Sequence, residues 1–286
     1  MNITPVTNHR EREKGVIVYP VYSRRSAGLS IGVNLFPDKK SCQFDCPYCE
    51  VFPFSSGAKF SLEQMETDLR AAIDNAKKEK IPVKDICFSG NGEPTLSPAF
   101  AEAFKLAEKI YMETLAVSDA SPSSRIVVIT NGTELLQTHI FNMLKEACAE
   151  DAKRATPFLD IWLKLDAGTP DWYQKINRCA TGFYELTGKI KDFIKCAPAT
   201  IQTMLCAVEG IQPPQTEEKA WEALVCKMAE DAGGNIRKVQ IYGKARPAPE
   251  DPLASSLPAQ YLEKRAESLR AAFAGINTTI PVEVYL

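Results

Sequence analysis

The sequence is short of histidine, has no long apolar run and carries almost no surplus charge, and each shortage removes a class of function. Only His9 and His139 are present, so a closed four-ligand zinc site would have little besides cysteine to draw on. No stretch approaches the roughly 20 consecutive apolar residues of a membrane span. Met1 to Lys14 is polar and lacks the apolar core of a secretory signal. A formal charge of -2 argues against a large nucleic-acid footprint, though not against a local basic patch. There is no internal repeat and nothing that reads as a flexible interdomain linker. The breaks at Ser118–Ser124, Gln212–Thr216 and Arg246–Pro258 are turn-like.

Cysteine is what the chain does have. Nine cysteines without a secretory signal point to a reducing compartment, where thiols serve metals or pack in the core, and the odd count fits poorly with a disulfide framework. A cytoplasmic location is therefore expected. Three of the nine lie close together, in Cys42-Gln43-Phe44-Asp45-Cys46-Pro47-Tyr48-Cys49. Thiolates at this spacing can hold three irons of a cubane cluster and leave the fourth iron open to a ligand, whereas a fourth cysteine would saturate it. The next cysteine is Cys87, far along the chain. Two other readings stand beside this one: a zinc knuckle, which lacks a fourth ligand, and three cysteines that simply pack.

Around that loop, β-rich runs alternate with helical patterns. Strands are expected at Leu29–Leu35, Lys84–Ser89, Arg125–Thr130, Leu159–Leu165, Thr200–Cys206 and Ile236–Tyr242. Helix starts are marked by a capping box at Ser61 and Gln64, and by Ser97-Pro98 and Thr169-Pro170. Further helices are expected at about Thr133–Glu150, Glu217–Asp231 and Pro258–Ala274. Repeated strand–helix units favour a parallel sheet with right-handed crossovers. Within the strands, Ile161, Leu163 and Leu165 share one face while Trp162, Lys164 and Asp166 share the other. The same split separates Ile201, Thr203 and Leu205 from Gln202, Met204 and Cys206, and Ile31, Val33 and Leu35 from Ser30, Gly32 and Asn34. Val239 and Ile241 likewise oppose Lys238, Gln240 and Tyr242. A doubly wound sheet buries both faces and reads as uniformly apolar. One polar face fits a partial (β/α)6 TIM-like barrel better, in which Lys164 and Asp166 meet each other or a ligand, because an unpaired buried charge is costly. The expected organisation is an N-terminal extension over 1–28, a core over 29–250, and a C-terminal helix and strand over 251–286 of the same domain.

The cysteine loop directly after the first strand resembles that of the radical S-adenosylmethionine (radical SAM) superfamily, and within it the stand-alone proteins related to the tRNA wybutosine-synthesizing enzyme. The segments that carry the resemblance run in order along the chain. They are Tyr22-Ser23-Arg24-Arg25, Gly28 to Asn34, the cysteine loop, Phe88 to Leu96, Ile129 to Thr133, Trp162 to Gly168, and Val239 to Ile241 with Ala245-Arg246-Pro247. The resemblance implies a partial barrel whose site lies at the C-terminal strand ends. It implies a [4Fe–4S] cluster on Cys42, Cys46 and Cys49, with S-adenosylmethionine (SAM) on the open iron. Tyr48 is then placed near the adenine, and Gly90, Asn91, Gly92 and Glu93 at the methionine end, where glycines let backbone approach a ligand. By the same analogy Lys164 partners the SAM carboxylate, and Asp166 and Asn131 bond a ribose hydroxyl or the substrate. Gln202, Gln240 and Tyr242 are assigned to the substrate side, and Arg246 to an anionic group or to solvent. Arg24 and Arg25 are candidates for gating the barrel, for binding an acidic group, or for structural ion pairs.

The implied activity is reductive cleavage of SAM to a 5′-deoxyadenosyl radical that takes hydrogen from an unidentified substrate. The implied partners are a one-electron reductant such as flavodoxin or ferredoxin and a small-molecule or nucleoside substrate. Transfer RNA is disfavoured, because the wybutosine enzyme holds a second cluster on cysteines upstream of its main motif and no residue before Cys42 here is cysteine. Two alternatives remain, an activase that installs a glycyl radical in a partner protein and a non-enzymatic iron–sulfur electron carrier. The remaining cysteines read as small core residues, with Cys87 and Cys206 on strand faces shared with the polar positions.

Overall fold

The computed structural model describes residues 14–116, 124–250 and 253–286. The first 13 residues, His9 among them, most of the break at Ser118–Ser124 and part of that at Arg246–Pro258 lie outside the described residues.

In chain order the elements are β1 (Val18–Ser23), β2 (Gly28–Val33), α1 (Leu62–Lys78), β3 (Val83–Phe88), α2 (Phe100–Thr114) and β4 (Arg125–Thr130). Then come α3 (Thr138–Asp151), β5 (Leu159–Lys164), α4 (Pro170–Ile176), α5 (Phe183–Ile194), β6 (Ala199–Val208) and α6 (Gln215–Asp231). The last are β7 (Ile236–Gly243), β8 (Ala254–Ser256), α7 (Ala259–Gly275) and β9 (Val282–Tyr285). The sheet runs in the order β1-β2-β3-β4-β5-β6-β7-β9, with β8 added antiparallel to β6. β1 is antiparallel to β2, and the pairs β2–β3, β3–β4, β5–β6, β6–β7 and β7–β9 are parallel. Strands that follow one another in space as in sequence cannot make the reversed order of a doubly wound sheet. The sheet is instead a curled half-barrel with helices around it, as the alternating strand faces predict.

All six expected strands form. β1 falls inside the expected N-terminal extension over 1–28, where no strand was expected, and carries Pro20. The structure places it at the sheet edge, where a proline costs least. Ser61 caps α1 through its hydroxyl, which accepts from the Gln64 backbone N–H, but the Gln64 side chain bonds Asp68 instead of closing the box. Thr169 caps α4 as expected. Ser97 does not cap α2. Its carbonyl and hydroxyl hold a preceding turn, and the helix starts at Phe100. The helix expected from Thr133 is a 3₁₀ turn, Thr133–Leu136, broken by extended Gln137 before α3 begins.

The chain divides into two compact units, one of Met1–Cys42, Val51–Thr130 and Glu150–Asp160, the other of Gln43–Glu50, Asn131–Ala149 and Ile161–Leu286. In the first, Ile31, Val33, Ile86, Phe88, Ile126 and Val128 are fully buried. Phe88, Phe100 and Phe104 stack with ring centroids 5.7–6.1 Å apart. In the second, Leu163, Ile201, Val239 and Ile241 are fully buried, together with Ile190, Phe193 and Met228 of the helices. The polar side of the same strands is in register, Lys164 opposite Gln202, Gln202 opposite Gln240, and Gln240 opposite Glu283.

The turn after β5 is fastened by α6. The buried Glu217 carboxylate accepts from the Gly168 N–H and the Thr169 hydroxyl, and the Trp221 indole donates to the Leu165 carbonyl at 3.0 Å. Gly168 is close-packed there: a Cβ would lie 2.0 Å from the Trp221 backbone nitrogen. Gly168→Ala is therefore expected to force the turn away from α6 and to destabilise by about 3 kcal/mol, read as a lower denaturant midpoint. On the surface, Lys191 of α5 and Lys227 of α6 both pair with Asp231, whose pKa their hydrogen bonds lower to about 2. A carboxylate lowered in the folded state adds stability above its unfolded pKa and loses it as pH falls through the folded value. The expected loss lies between about pH 4 and pH 2, and Asp231→Asn is expected to remove that part of the acid sensitivity in urea titrations at successive pH.

Candidate active site

In the first unit, the Gly90-Asn91-Gly92-Glu93 segment is laced to the chain that enters the cysteine loop. The Ser41 N–H donates to the Asn91 carbonyl at 2.9 Å, and the Glu93 N–H donates to the Ser41 carbonyl at 2.8 Å. Asn34, at the end of β2, accepts from the Asn91 N–H through Oδ1, and the Asn91 side chain donates to the Phe36 carbonyl. Gly90 and Gly92 have φ of 125° and 147°, and a Cβ on Gly92 would fall 1.7 Å from the Ser41 carbonyl oxygen. Only glycine lets these backbones approach so closely. The Glu93 carboxylate accepts from the Thr95 N–H and hydroxyl, closing the 3₁₀ turn that follows. Cys42 comes directly after Ser41 and is half-buried.

In the second unit, residues from four segments converge on Asp166. Its Oδ2 accepts from the Tyr48 hydroxyl at 2.5 Å and from Asn177 Nδ2 at 2.8 Å. Its Oδ1 accepts from the Met204 N–H at 2.9 Å and from Lys164 Nζ at 3.3 Å. Lys164 Nζ also bonds the Tyr242 hydroxyl and lies 5.2 Å and 5.1 Å from the ring centroids of Tyr48 and Tyr242. Asn177 donates as well to Cys46 Sγ, at 3.5 Å. The electrostatics follow from this crowding. Burial and then Asp166 push the Cys46 thiol up, and the same two causes raise the Tyr48 phenol well above its usual range. Burial alone would lower the Lys164 ammonium, but Asp166 and Tyr242 outweigh it and leave it raised, so the lysine is a held cation.

The structure thus brings together Cys46, Tyr48, Lys164, Asp166 and Tyr242, five of the residues singled out from sequence. Lys164 and Asp166 meet each other, as burial of a charge requires. Asn131 closes its own turn, its Oδ1 accepting from the Thr133 N–H and hydroxyl. Gln202 donates to Gln240 at 2.6 Å, and Gln240 to Glu283 at 3.4 Å. Arg246 pairs at 2.8 Å with Glu50, the residue after Cys49. Arg24 accepts through its carbonyl in the β1–β2 turn, and Arg25 lies in the field of buried Asp85 and Cys87. Sequence reasoning missed Asn177 and named Asn34 only as a polar strand position, without a role. Asn177 is the C-cap of α4, and no local pattern marked it as a partner of Cys46.

All nine cysteines are free thiols. Among the described residues, no three His, Cys, Asp or Glu side chains are gathered about a point that one metal ion would occupy. A structural zinc ion needs such a gathering, and His139 is exposed on α3. A cubane does not need it, since each cysteine takes a different iron. No helix among the described residues is long and apolar enough to cross a membrane.

The sequence model of the Radical SAM superfamily matches residues 39–190, more than half of the chain. A Helicobacter pylori (strain ATCC 700392 / 26695) protein described as a UPF0026 protein is 30% identical over 142 residues, which cover 47% of this chain and 41% of that protein. The chain therefore spans less than half the length of the curated relatives it matches. Among solved structures, a radical SAM methyltransferase from Sphaerobacter thermophilus superposes with a TM-score of 0.59 at 15% identity, over 94% of this chain and 69% of that one. Streptococcus suis SuiB bound to S-adenosylmethionine superposes with a TM-score of 0.60 at 12% identity, over 88% of this chain and 50% of that one. At such identities the superpositions speak for the half-barrel alone. The family match does more, and with it the chain belongs to the radical SAM superfamily, as an enzyme whose cofactors are a [4Fe–4S] cluster and S-adenosylmethionine.

Proposed function

We propose that Cys42, Cys46 and Cys49 ligate the cluster, that Gly90–Glu93 and Lys164 bind SAM, and that the enzyme abstracts hydrogen from a small molecule or nucleoside. The single observation that carries this reading is the convergence of Cys46, Tyr48, Lys164 and Asp166 in one hydrogen-bonded cluster. Residues from separate segments, each chosen for its place after a strand, share the same few ångströms. The donor set fits the cofactor: free thiols, and an amide N–H already aimed at one sulfur. When bound, the cluster supplies the electron that cleaves the bond from the SAM sulfur to its 5′ carbon, giving methionine and a 5′-deoxyadenosyl radical.

The protein's part is to hold and to orient. Lys164 is a cation that cannot swing free, because Asp166 and Tyr242 grip its ammonium and two aromatic rings flank it. Such a group suits a carboxylate ligand at little reorganisation cost. Tyr48 belongs to the cysteine loop and its hydroxyl is fixed by Asp166, which supports a role beside the adenine. Asp166 itself has all its nearby donors from protein, so we assign it to orienting Tyr48 and Lys164. Asn131 and Glu93 are assigned to shaping their turns within the SAM site. The Gly90–Gly92 turn, held against Ser41 and Asn34 at the entry to the cysteine loop, supports a role for this segment in shaping the amino-acid end of the SAM site.

Being an enzyme, the chain is not the electron carrier entertained from its sequence. No observation favours the activase. A one-electron reductant of the flavodoxin or ferredoxin type completes the proposal, and free thiols throughout support a cytoplasmic setting. The narrower kinship with stand-alone relatives of the wybutosine enzyme rests on the segments from Tyr22 to Pro247 and gives a nucleoside-like substrate its place in this reading.

Anaerobically reconstituted protein, given dithionite and SAM, is expected to release 5′-deoxyadenosine, detected by chromatography. Cys46→Ala is expected to abolish it and to bind less iron. No 5′-deoxyadenosine from the native chain, with or without candidate nucleosides, would count against the reading. Lys164→Met is expected to weaken SAM binding by about 10- to 100-fold, the worth of one charge-assisted hydrogen bond. Equilibrium dialysis checks this at unchanged iron content.

A further inference from the structure

We propose that Asn177 is a positioning residue for the cluster, setting its reduction potential through an N–H···S bond to Cys46 while locking the cysteine loop to the Asp166 hub. The inference rests on the reading of Cys46 as a ligand. Asn177 holds its neighbours in three ways at once. Its carbonyl accepts from the Asp45 N–H at 2.9 Å, and its amide donates to Cys46 Sγ at 3.5 Å and to Asp166 Oδ2 at 2.8 Å. Both amide protons are therefore committed, one to sulfur and one to the carboxylate, and the side chain is buried.

The surroundings fix that geometry. Asn177 ends α4, its N–H donating to the Tyr173 carbonyl at 2.9 Å. The next residue, Arg178, has a φ of 47°, a conformation costing roughly 1–3 kcal/mol outside glycine. It is held there by two hydrogen bonds from Nη1 to Glu250, at 2.9 Å and 2.7 Å, with Asp45 4.0 Å away. A strained residue clamped next to Asn177 leaves the amide little freedom to turn away from the sulfur. Hydrogen bonds to the sulfurs are among the levers that tune an iron–sulfur potential. A donor stabilises the more negative reduced state, so removing it lowers the potential.

Cluster-loaded protein is titrated electrochemically while the reduced cluster is followed by electron paramagnetic resonance and iron is assayed chemically. Asn177→Leu, of similar volume but without a donor, is expected to lower the midpoint potential by the equivalent of a tenfold change in the one-electron equilibrium, about 59 mV. Asp166→Asn removes a negative charge that acts on Cys46, so where iron is retained it is expected to shift the potential the opposite way. An unchanged potential in Asn177→Leu at native iron content overturns the proposal. If Asn177→Leu does not retain iron, Asn177→Ser, whose hydroxyl is too short to reach Sγ, is read in its place against the same expectation. Loss of iron in both, with Asp166→Asn retaining it, makes Asn177 a folding residue and overturns the proposal equally. Failure of the underlying reading looks different: Cys46→Ala would then keep native iron content and potential.

Discussion

The buried carboxylate of Asp166 is the constraint on which the second unit's site depends. A carboxylate removed from water costs several kcal/mol unless its lone pairs are filled, and here four donors fill them, from Tyr48, Lys164, Asn177 and the Met204 backbone. Each donor belongs to a different part of the chain. Satisfying one charge therefore fixes the cysteine loop through Tyr48, the end of β5 through Lys164, the end of α4 through Asn177, and β6 through Met204. Removing Asp166 would strand Lys164 as an unpaired buried cation, so the two residues stand or fall together.

The first unit solves a different problem by different means. There backbone hydrogen bonds at Ser41, Asn91 and Glu93 gather the segment, and they close only because Gly90 and Gly92 adopt conformations barred to other residues. Asn34 plays the part Asp166 plays elsewhere, since its Oδ1 accepts from both the Phe36 and Asn91 N–H groups and ties β2 to the loop after β3.

Much of the fold was legible because its periods are simple. Alternation along β2, β5, β6 and β7 assigns one face to the core and the other to polar groups, and the parallel register then aligns Lys164, Gln202 and Gln240 in a row. Local rules failed where tertiary context overrode them. An edge strand lay within the expected N-terminal extension, Ser97 served a turn in place of a cap, and Gln137 split a helical pattern. α5 was not foreseen, although its apolar stripe, Phe183, Leu186, Ile190, Phe193 and Ile194, is buried.

The sequence by itself determined the family resemblance, with the cofactors it implies, and the alternation of strands with helices. Cysteine spacing, strand-end glycines and face alternation are local patterns, and local patterns survive in one dimension. Only the tertiary structure decided what each polar residue does with its hydrogen bonds. Tyr48 and Asp166 are 118 positions apart, Cys46 and Asn177 131. Contacts over such separations follow from how strands curl and helices end, and no spacing rule encodes them. Asn177 is the plainest case: in sequence a helix-ending asparagine, in space the donor to Cys46 and Asp166.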